Sequence, residues 1–372
     1  MRVLVITDSG CEEACAIEIA RWTKAKTVTE TNIVSFEADL TTAALLGYRL
    51  QTARRVLLEL MPPLDTIEDI ESHNPDAEVI AQTVSEGATF KADGEILAMK
   101  PGQEEAPMDI ITQELVEAVG GWGHRKLGLQ VKLKSPDLVV YAVKTPECIR
   151  VGIDVVGRGL AKREHRIMLS RRSLKSTIAA STVLYAGVKE KDVILDPVAD
   201  DGSIAIEAAL LLSRTGPRQH ERFAFEKFPG DKGDWKKDMH KDIERITAYA
   251  ANLQEMKAIR TNAKLAGVDK HIHSTKVTID WVDAKMKERS VDKIITAPIP
   301  SGKSIAPQQA AKLDDQLFYQ AEYILKKQGT LTAITEKPNE LLPAAEKYKF
   351  KELERRTVLM GKRDMTIIKF GR

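Results

Sequence analysis

Cysteine is scarce in this sequence: Cys11, Cys15 and Cys148 are the three among 372 residues. So few cannot build a disulfide framework, and no CxxC pair or His/Cys cluster has zinc-ligand spacing. Cys11 and Cys15 stand four apart in an expected helix and read as small buried side chains. Long apolar runs are missing too, and none reaches bilayer-spanning length. The opening MRVLVITDSG reads as a strand and a turn, not a signal peptide. An excess of one charge is also absent. Lys and Arg number 56 against 54 Asp and Glu, so any nucleic-acid footprint must be local. These absences favour a soluble, cytoplasmic protein with no membrane span and no metal. The length and the 43% hydrophobic content allow two or three domains with real cores.

What is present is alternation. Residues 2–7 and 33–37 read as strands, 12–24 and 40–49 as helices, and 52–60 is apolar with basic residues at its start. Pro62-Pro63 breaks the chain. Residues 65–109 then hold twelve acids and two lysines. A helix is expected over 108–119, ended by the glycine-rich turn 120–123. Strands follow at 127–133, 138–145 and 148–156. The stretch 158–176 carries seven Lys or Arg against one acid, Glu164. A small-residue helix follows at 176–187. From Asp192 onward strands and helices repeat, with strands near 193–195, 246–250, 291–296 and 329–335 and a final pair within 358–370. That spacing predicts a doubly wound, mainly parallel sheet. Ligands in such sheets bind at the carboxyl ends of the strands.

One such end is LDPVADDGSIAIEAALL, residues 195–211. A nucleotide-binding fold keeps a glycine-rich loop here. This loop has only Gly202, preceded by Asp200 and Asp201. Asp201 and Ser203 suit a helix N-cap. A second stretch, APIPSGKS at 297–304, formally fits a phosphate loop. Pro298 and Pro300 remove backbone donors that such a loop needs, and Pro307 interrupts any following helix start. His271 and His273 lack spaced partners and do not suggest a metal. Trp22, Trp122, Trp235 and Trp281 are scattered and read as packing. Phe223, Phe225 and Phe228 read as core anchors.

Several segments, in order, resemble the THUMP-domain RNA methyltransferases, close to those that methylate guanosine N2 in tRNA. They are RLQTARRVLLEL (49–60), VGIDVVGRGLAKREHR (151–166), LKSTIAASTVLYAG (174–187), ILDPVADDGSIAIEAALL (194–211), RFAFEKF (222–228), IRTNAKLAG (259–267) and ITAPIPSG (295–302). The resemblance implies a ferredoxin-like domain at 1–62 and a THUMP domain at 63–160. A basic linker and connecting helix follow at 161–187, then a Rossmann-like methyltransferase domain at 188–372. It implies S-adenosylmethionine as cofactor, seated at Asp196, Pro197, Asp200, Gly202, Ser203, Ala250 and Asp280. Asp283 is a further candidate near the adenine.

The departures from the family pattern are informative. Asp200 replaces the first glycine of the cofactor loop, where it would crowd the cofactor and oppose its carboxylate. Ala250 stands where the family has a ribose-binding acid; Asn252 is placed beyond reach and Glu255 on a solvated helix. The catalytic loop, Asn or Asp followed by Pro-Pro and an aromatic residue in the family, is Ala297, Pro298, Ile299, Pro300. Without the acceptor and the aromatic, the resemblance implies a scaffold with lost or weak catalysis, which holds S-adenosylmethionine if it holds any cofactor at all. The rival is an active S-adenosylmethionine-dependent tRNA guanine-N2 methyltransferase with divergent motifs. The cations Arg54, Arg55, Arg158, Lys162, Arg163, Arg166, Arg171, Arg172 and Lys175 are candidates for phosphate contacts with tRNA or another structured RNA. The altered module would also suit a protein partner, such as an active paralogue.

Overall fold

The computed structural model describes residues 1–104, 106–237, 239–243, 246–303 and 305–372. It divides into two compact units. The first comprises residues 1–161 and 218–237, and the second 162–217 and 238–372.

The first unit opens with β1 (Arg2–Thr7), α1 (Glu12–Trp22), β2 (Val28–Glu30), β3 (Ile33–Glu37), α2 (Leu40–Arg49) and β4 (Ala53–Glu59). β1 is apolar from Val3 to Ile6 and fully buried there, so it lies in the middle of its sheet. The order β2-β3-β1-β4, with each neighbouring pair antiparallel, is the ferredoxin-like split βαβ arrangement. Asp39 starts α2 by accepting the Thr42 N–H at 2.8 Å.

The sheet does not stop at Pro62-Pro63. After α3 (Asp69–Ser72) and α4 (Ala77–Thr83) come β5 (Thr89–Ile96), α5 (Thr112–Leu127), β6 (Gln130–Val131), β7 (Leu138–Lys144) and β8 (Ile149–Asp154). β8 pairs with β4, and the eight strands form one sheet. The strand expected at 127–133 shrinks to the two residues of β6, because α5 runs on to Leu127. The glycines expected to end that helix lie inside it. Their role is close approach: a Cβ on Gly123 would stand 2.7 Å from the Phe90 ring of β5, and one on Gly120 would stand 3.5 Å from Ala92. Helix propensity has yielded to packing.

The segment 222–228, assigned on sequence to the 188–372 domain, packs within the first unit. Phe223, Phe225 and Trp235 cluster with Tyr48, with ring centroids 5.0–5.8 Å apart. Arg218 is buried and donates to the carbonyls of Leu160 at 2.7 Å and Leu50 at 3.1 Å. The three phenylalanines are buried, as core anchors should be.

The second unit begins with α6 (Ser176–Tyr185), β9 (Ile194–Asp196) and α7 (Ser203–Leu212). Then come β10 (Ile246–Ala250), α8 (Leu253–Leu265), β11 (Ile272–Lys276), β12 (Val291–Thr296) and α9 (Pro307–Ile324). β13 (Leu325–Thr335), α10 (Pro338–Lys347), β14 (Lys351–Met360) and β15 (Arg363–Gly371) complete it. The strand order is β11-β10-β9-β12-β13-β15-β14. The first five strands are parallel, and β15 and β14 close the sheet antiparallel. This is the doubly wound sheet the spacing predicted. Its order reverses at β9, so the carboxyl end of β9 is the switch point where such folds bind ligands.

The tight passage of α5 over β5 gives a direct test. Gly123→Ala should lower stability by about 1 kcal/mol or more, since overpacking outweighs the gain in helix propensity. Urea denaturation would measure it; an unchanged or raised midpoint would mean that Phe90 moves aside at no cost.

Candidate active site

Asp196 ends β9 and is buried. Its carboxylate accepts the Val198 N–H at 3.2 Å. Burial pushes its pKa up to about 7, with the nearby Asp200 adding to the shift and hydrogen bonds opposing it.

The loop that follows keeps a two-glycine backbone with one glycine. Asp200 has φ +52° and Gly202 φ +84°, both left-handed. Aspartate tolerates that region better than most residues, so it can occupy a glycine's place in the turn. Gly202 cannot be replaced so readily, because a Cβ there would meet Ile259 at 3.2 Å. Gly202 is also the N-cap of α7, correcting the expectation that Asp201 or Ser203 caps it. Asp201 instead braces the loop, accepting from the Ser203 N–H at 3.0 Å and Oγ at 2.6 Å. Asn262 of α8 ties the same loop down, donating to the Asp201 carbonyl at 3.1 Å and the Met168 carbonyl at 2.9 Å.

Asp200 was expected to present a bare charge to a cofactor. The structure pairs it. Ser170 Oγ donates to its carboxylate, and Arg172 Nη2 lies 3.4 Å from Oδ1. The negative charge is therefore largely met by the protein itself.

Ala250 ends β10 fully buried and offers no side-chain acceptor. Two residues on, Asn252 caps α8 by accepting the Glu255 N–H at 2.9 Å. Glu255 reaches back to the Ala251 N–H at 2.8 Å and to Asn252 Nδ2 at 3.0 Å. This is a reciprocal cap, and Asn-x-x-Glu directly after a strand is its sequence signal. It turns Glu255 towards the strand ends instead of leaving it on an outer helix face.

Over the ends of β9, β10 and β11 lies a cavity of about 470 Å³. Pro197, Val198, Ala251, Glu255, Thr278 and Asp280 line it, as do Ile299, Lys312 and Arg172. The volume falls within the range of small-molecule sites, roughly 300–1,000 Å³. A neighbouring hollow of about 450 Å³ lies between residues 167–172, the Asp200-Asp201 turn and the start of α8. Arg172 and Glu255 border both hollows, with Nη2 and Oε1 4.0 Å apart. The cavity thus brings together Pro197 and Asp280 of the predicted cofactor set. Asp196, Gly202, Ser203 and Ala250 are buried in the supporting frame. Asp283 is not among the residues lining the cavity; its N–H donates to Gln320 Oε1 at 2.8 Å. Glu255 is the residue that sequence reasoning set aside.

The loop after β12 runs Ala297, Pro298, Ile299, Pro300. Ile299 reaches the cavity and Pro298 is buried. None of the four side chains can accept a hydrogen bond. The next residue is firmly held: Ser301 donates through N to Glu340 at 3.0 Å and through Oγ at 2.5 Å, and Lys337 donates to Ser301 Oγ at 2.7 Å. The phosphate-loop match ends on Ser304, which lies outside the described residues. Pro307 does not interrupt a helix but opens α9 at its first turn, where its missing N–H costs nothing.

The basic stretch proves heterogeneous. Arg163 is buried and paired with Glu207, Nε to Oε1 at 3.2 Å and Nη2 to Oε2 at 3.3 Å. That removes it from the phosphate-contact set: a guanidinium sealed in a buried fork cannot reach solvent. Arg55 is likewise committed to the buried Asp154 at 2.6 Å and lies over the Tyr141 ring. Arg54 pairs with Glu95, and Arg158 with Glu221 at 3.0 Å. Arg166 donates to the Leu174 carbonyl at 2.6 Å and lies 3.6 Å from Asp201. Lys162, Arg171 and Lys175 are exposed. Trp281 is 62% exposed, against the expectation that it packs. Among the described residues no group of three His, Cys, Asp or Glu could hold a metal, and no helix is long and apolar enough to cross a membrane.

Residues 163–366 match the RMKL-like methyltransferase domain family. The chain is 26% identical over 294 residues to the ribosomal RNA large subunit methyltransferase K/L of Acinetobacter baumannii strain ACICU, covering 70% of this chain and 39% of that one. It thus spans about two fifths of that relative's length. It is 28% identical over 247 residues to the tRNA (guanine(6)-N2)-methyltransferase of Methanocaldococcus jannaschii, covering 64% of each. Among solved structures, TrmN from Thermus thermophilus superposes with TM-score 0.71 at 19% identity, covering 100% of this chain and 99% of that one. SMU.472, crystallised with SAH, gives 0.78 at 17% identity, covering 100% and 98%. At these identities the likeness to solved structures speaks to the fold.

The buried fork can be tested apart from any ligand. Arg163→Ala strands the Glu207 carboxylate in the core and should cost about 3–5 kcal/mol in chemical denaturation. A loss below about 1 kcal/mol would return Arg163 to the surface set.

Proposed function

Since the chain belongs to the RMKL-like methyltransferase family, we propose that it binds tRNA or another structured RNA on a methyltransferase scaffold that has lost most or all of its catalysis. Residues 63–160 serve in this reading as a THUMP domain that holds the RNA, and S-adenosylmethionine is the ligand of the 470 Å³ cavity. Bound S-adenosylmethionine would supply an electrophilic methyl group. The chain's own part would be to hold it: Asp280 and Glu255 offer acceptors on the cavity wall, and the left-handed turn at Asp200 borders the adjoining hollow.

The observation that carries the loss of catalysis is the loop at 297–300. A target amino group needs an acceptor beside it to orient its lone pair at the methyl carbon. Ala297 has none, and Pro300 gives a flipped base no aromatic face. A positioned polar group of this kind is worth about 10²–10³ in rate. The missing ribose acid at Ala250 compounds the loss.

The second reading, an active enzyme with divergent motifs, is favoured by the cavity itself and by the left-handed backbone kept at Asp200. Both readings share the RNA. The names of the relatives, which act on ribosomal RNA and tRNA, support that part.

Recognition would rest on shape and phosphate contacts. Replacing Lys162, Arg171 and Lys175 together by Gln should weaken binding to an in-vitro-transcribed tRNA. It should also reduce the salt slope of the binding constant by up to about 3, one for each phosphate that the variant no longer neutralises. Filter binding across a salt series gives both quantities. An unchanged slope would place the RNA surface elsewhere.

A further inference from the structure

We propose that Arg172 and Asp200 form a receptor for the amino-acid head of an adenosine-containing ligand, the guanidinium taking its carboxylate and the Asp200 carboxylate its ammonium group. The proposal rests on the reading of the 470 Å³ cavity as an S-adenosylmethionine seat, and it names which residues of this chain would select that ligand.

Three observations support it. The first is placement. Arg172 borders both the strand-end cavity and the neighbouring hollow, and Asp200 borders the hollow. A ligand with its nucleoside over β10 and β11 would extend its other end past this pair. The second is charge. Arg172 and Asp200 stand 3.4 Å apart at the surface of the hollow, with side chains 33% and 12% exposed. A cation and an anion side by side are complementary to a zwitterion, whose two charges are also close together. A lone aspartate would repel the carboxylate of such a head group; the arginine beside it reverses that. The third is preorganisation. Ser170 Oγ holds the far oxygen of Asp200, and the left-handed backbone at Asp200 fixes the direction of its side chain. Met168 is held in turn by Asn262, whose Oδ1 accepts the Met168 N–H at 3.1 Å, so the segment carrying Ser170 and Arg172 is tied to α8. A receptor already in place loses little entropy on binding.

Glu255 completes the arrangement. At 4.0 Å it is too far from Arg172 for a tight pair. It steadies the guanidinium without saturating it, leaving donors for an incoming carboxylate.

Calorimetric titration of the full chain with two ligands tests this. S-adenosylhomocysteine has the amino-acid head; 5′-methylthioadenosine keeps the adenosine and lacks it. The protein should bind the first about tenfold tighter or more, as a charge-assisted pair of contacts implies. Arg172→Gln and Asp200→Asn should each bring the two affinities within about threefold of each other, by weakening S-adenosylhomocysteine more than methylthioadenosine. Thermal melting of the same samples checks that the variants remain folded. Arg172→Lys, which keeps the charge, should retain part of the preference. Equal affinities in the unaltered protein, or a preference that survives both neutral variants, would overturn the proposal. Failure of both ligands to bind the unaltered protein would overturn the proposal and the cavity assignment together. RNA binding, measured on the same sample, would then stand or fall separately.

Discussion

The second unit turns on one backbone constraint. At the carboxyl end of β9 the chain must reverse within a few residues and begin α7, and it does so through two left-handed residues, Asp200 and Gly202. Gly202 lies against Ile259, which a Cβ there would meet at 3.2 Å, and its φ of +84° strains any other residue. Asp200 is held by Ser170 and Arg172, and Asp201 by Ser203 and Asn262. The turn thereby fixes one wall of the hollow beside the cavity, the start of α7 and the segment 167–172 at once. An aspartate in a glycine's place looks like damage in isolation. In the structure it is an anchoring point, because the side chain that glycine lacks reaches two partners.

How much of this was legible depended on whether a local rule or a tertiary contact governed the residue. The parallel sheet was legible, because apolar runs of β spacing alternate with helical periods from Asp192 onward. The Asn252 cap of α8 was legible in principle too, since Asn-x-x-Glu follows a strand. Its consequence was not, because only the fold reveals that the cap turns Glu255 to the cavity. The glycines at 120–123 misled because glycine has two uses. It ends helices, and it lets a helix press on a sheet; only Phe90, thirty-three residues before Gly123, decides between them. Pro307 misled in the same way, being read as an interruption where it begins a helix.

Charge was the least legible feature. The run 158–176 looks uniformly basic, yet its members have separate fates. Arg163 is sealed against Glu207, Arg166 secures the backbone at Leu174, and Arg172 borders the cavity. Lys162, Arg171 and Lys175 stay at the surface. Desolvating a guanidinium is costly unless it is paired in a good geometry, so partners such as Glu207, distant in sequence, decide which arginines go inside.

On the proposed reading the scaffold and its cavity persist while the catalytic loop does not. The most direct measurement is single-turnover transfer of labelled methyl from S-adenosylmethionine to unmodified tRNA and ribosomal RNA, with the protein in excess. The expected result is incorporation at background level, together with retained binding of the RNA. Stoichiometric methylation of a defined nucleotide would contradict it and establish that Ala297–Pro300 can position a target base without a side-chain acceptor.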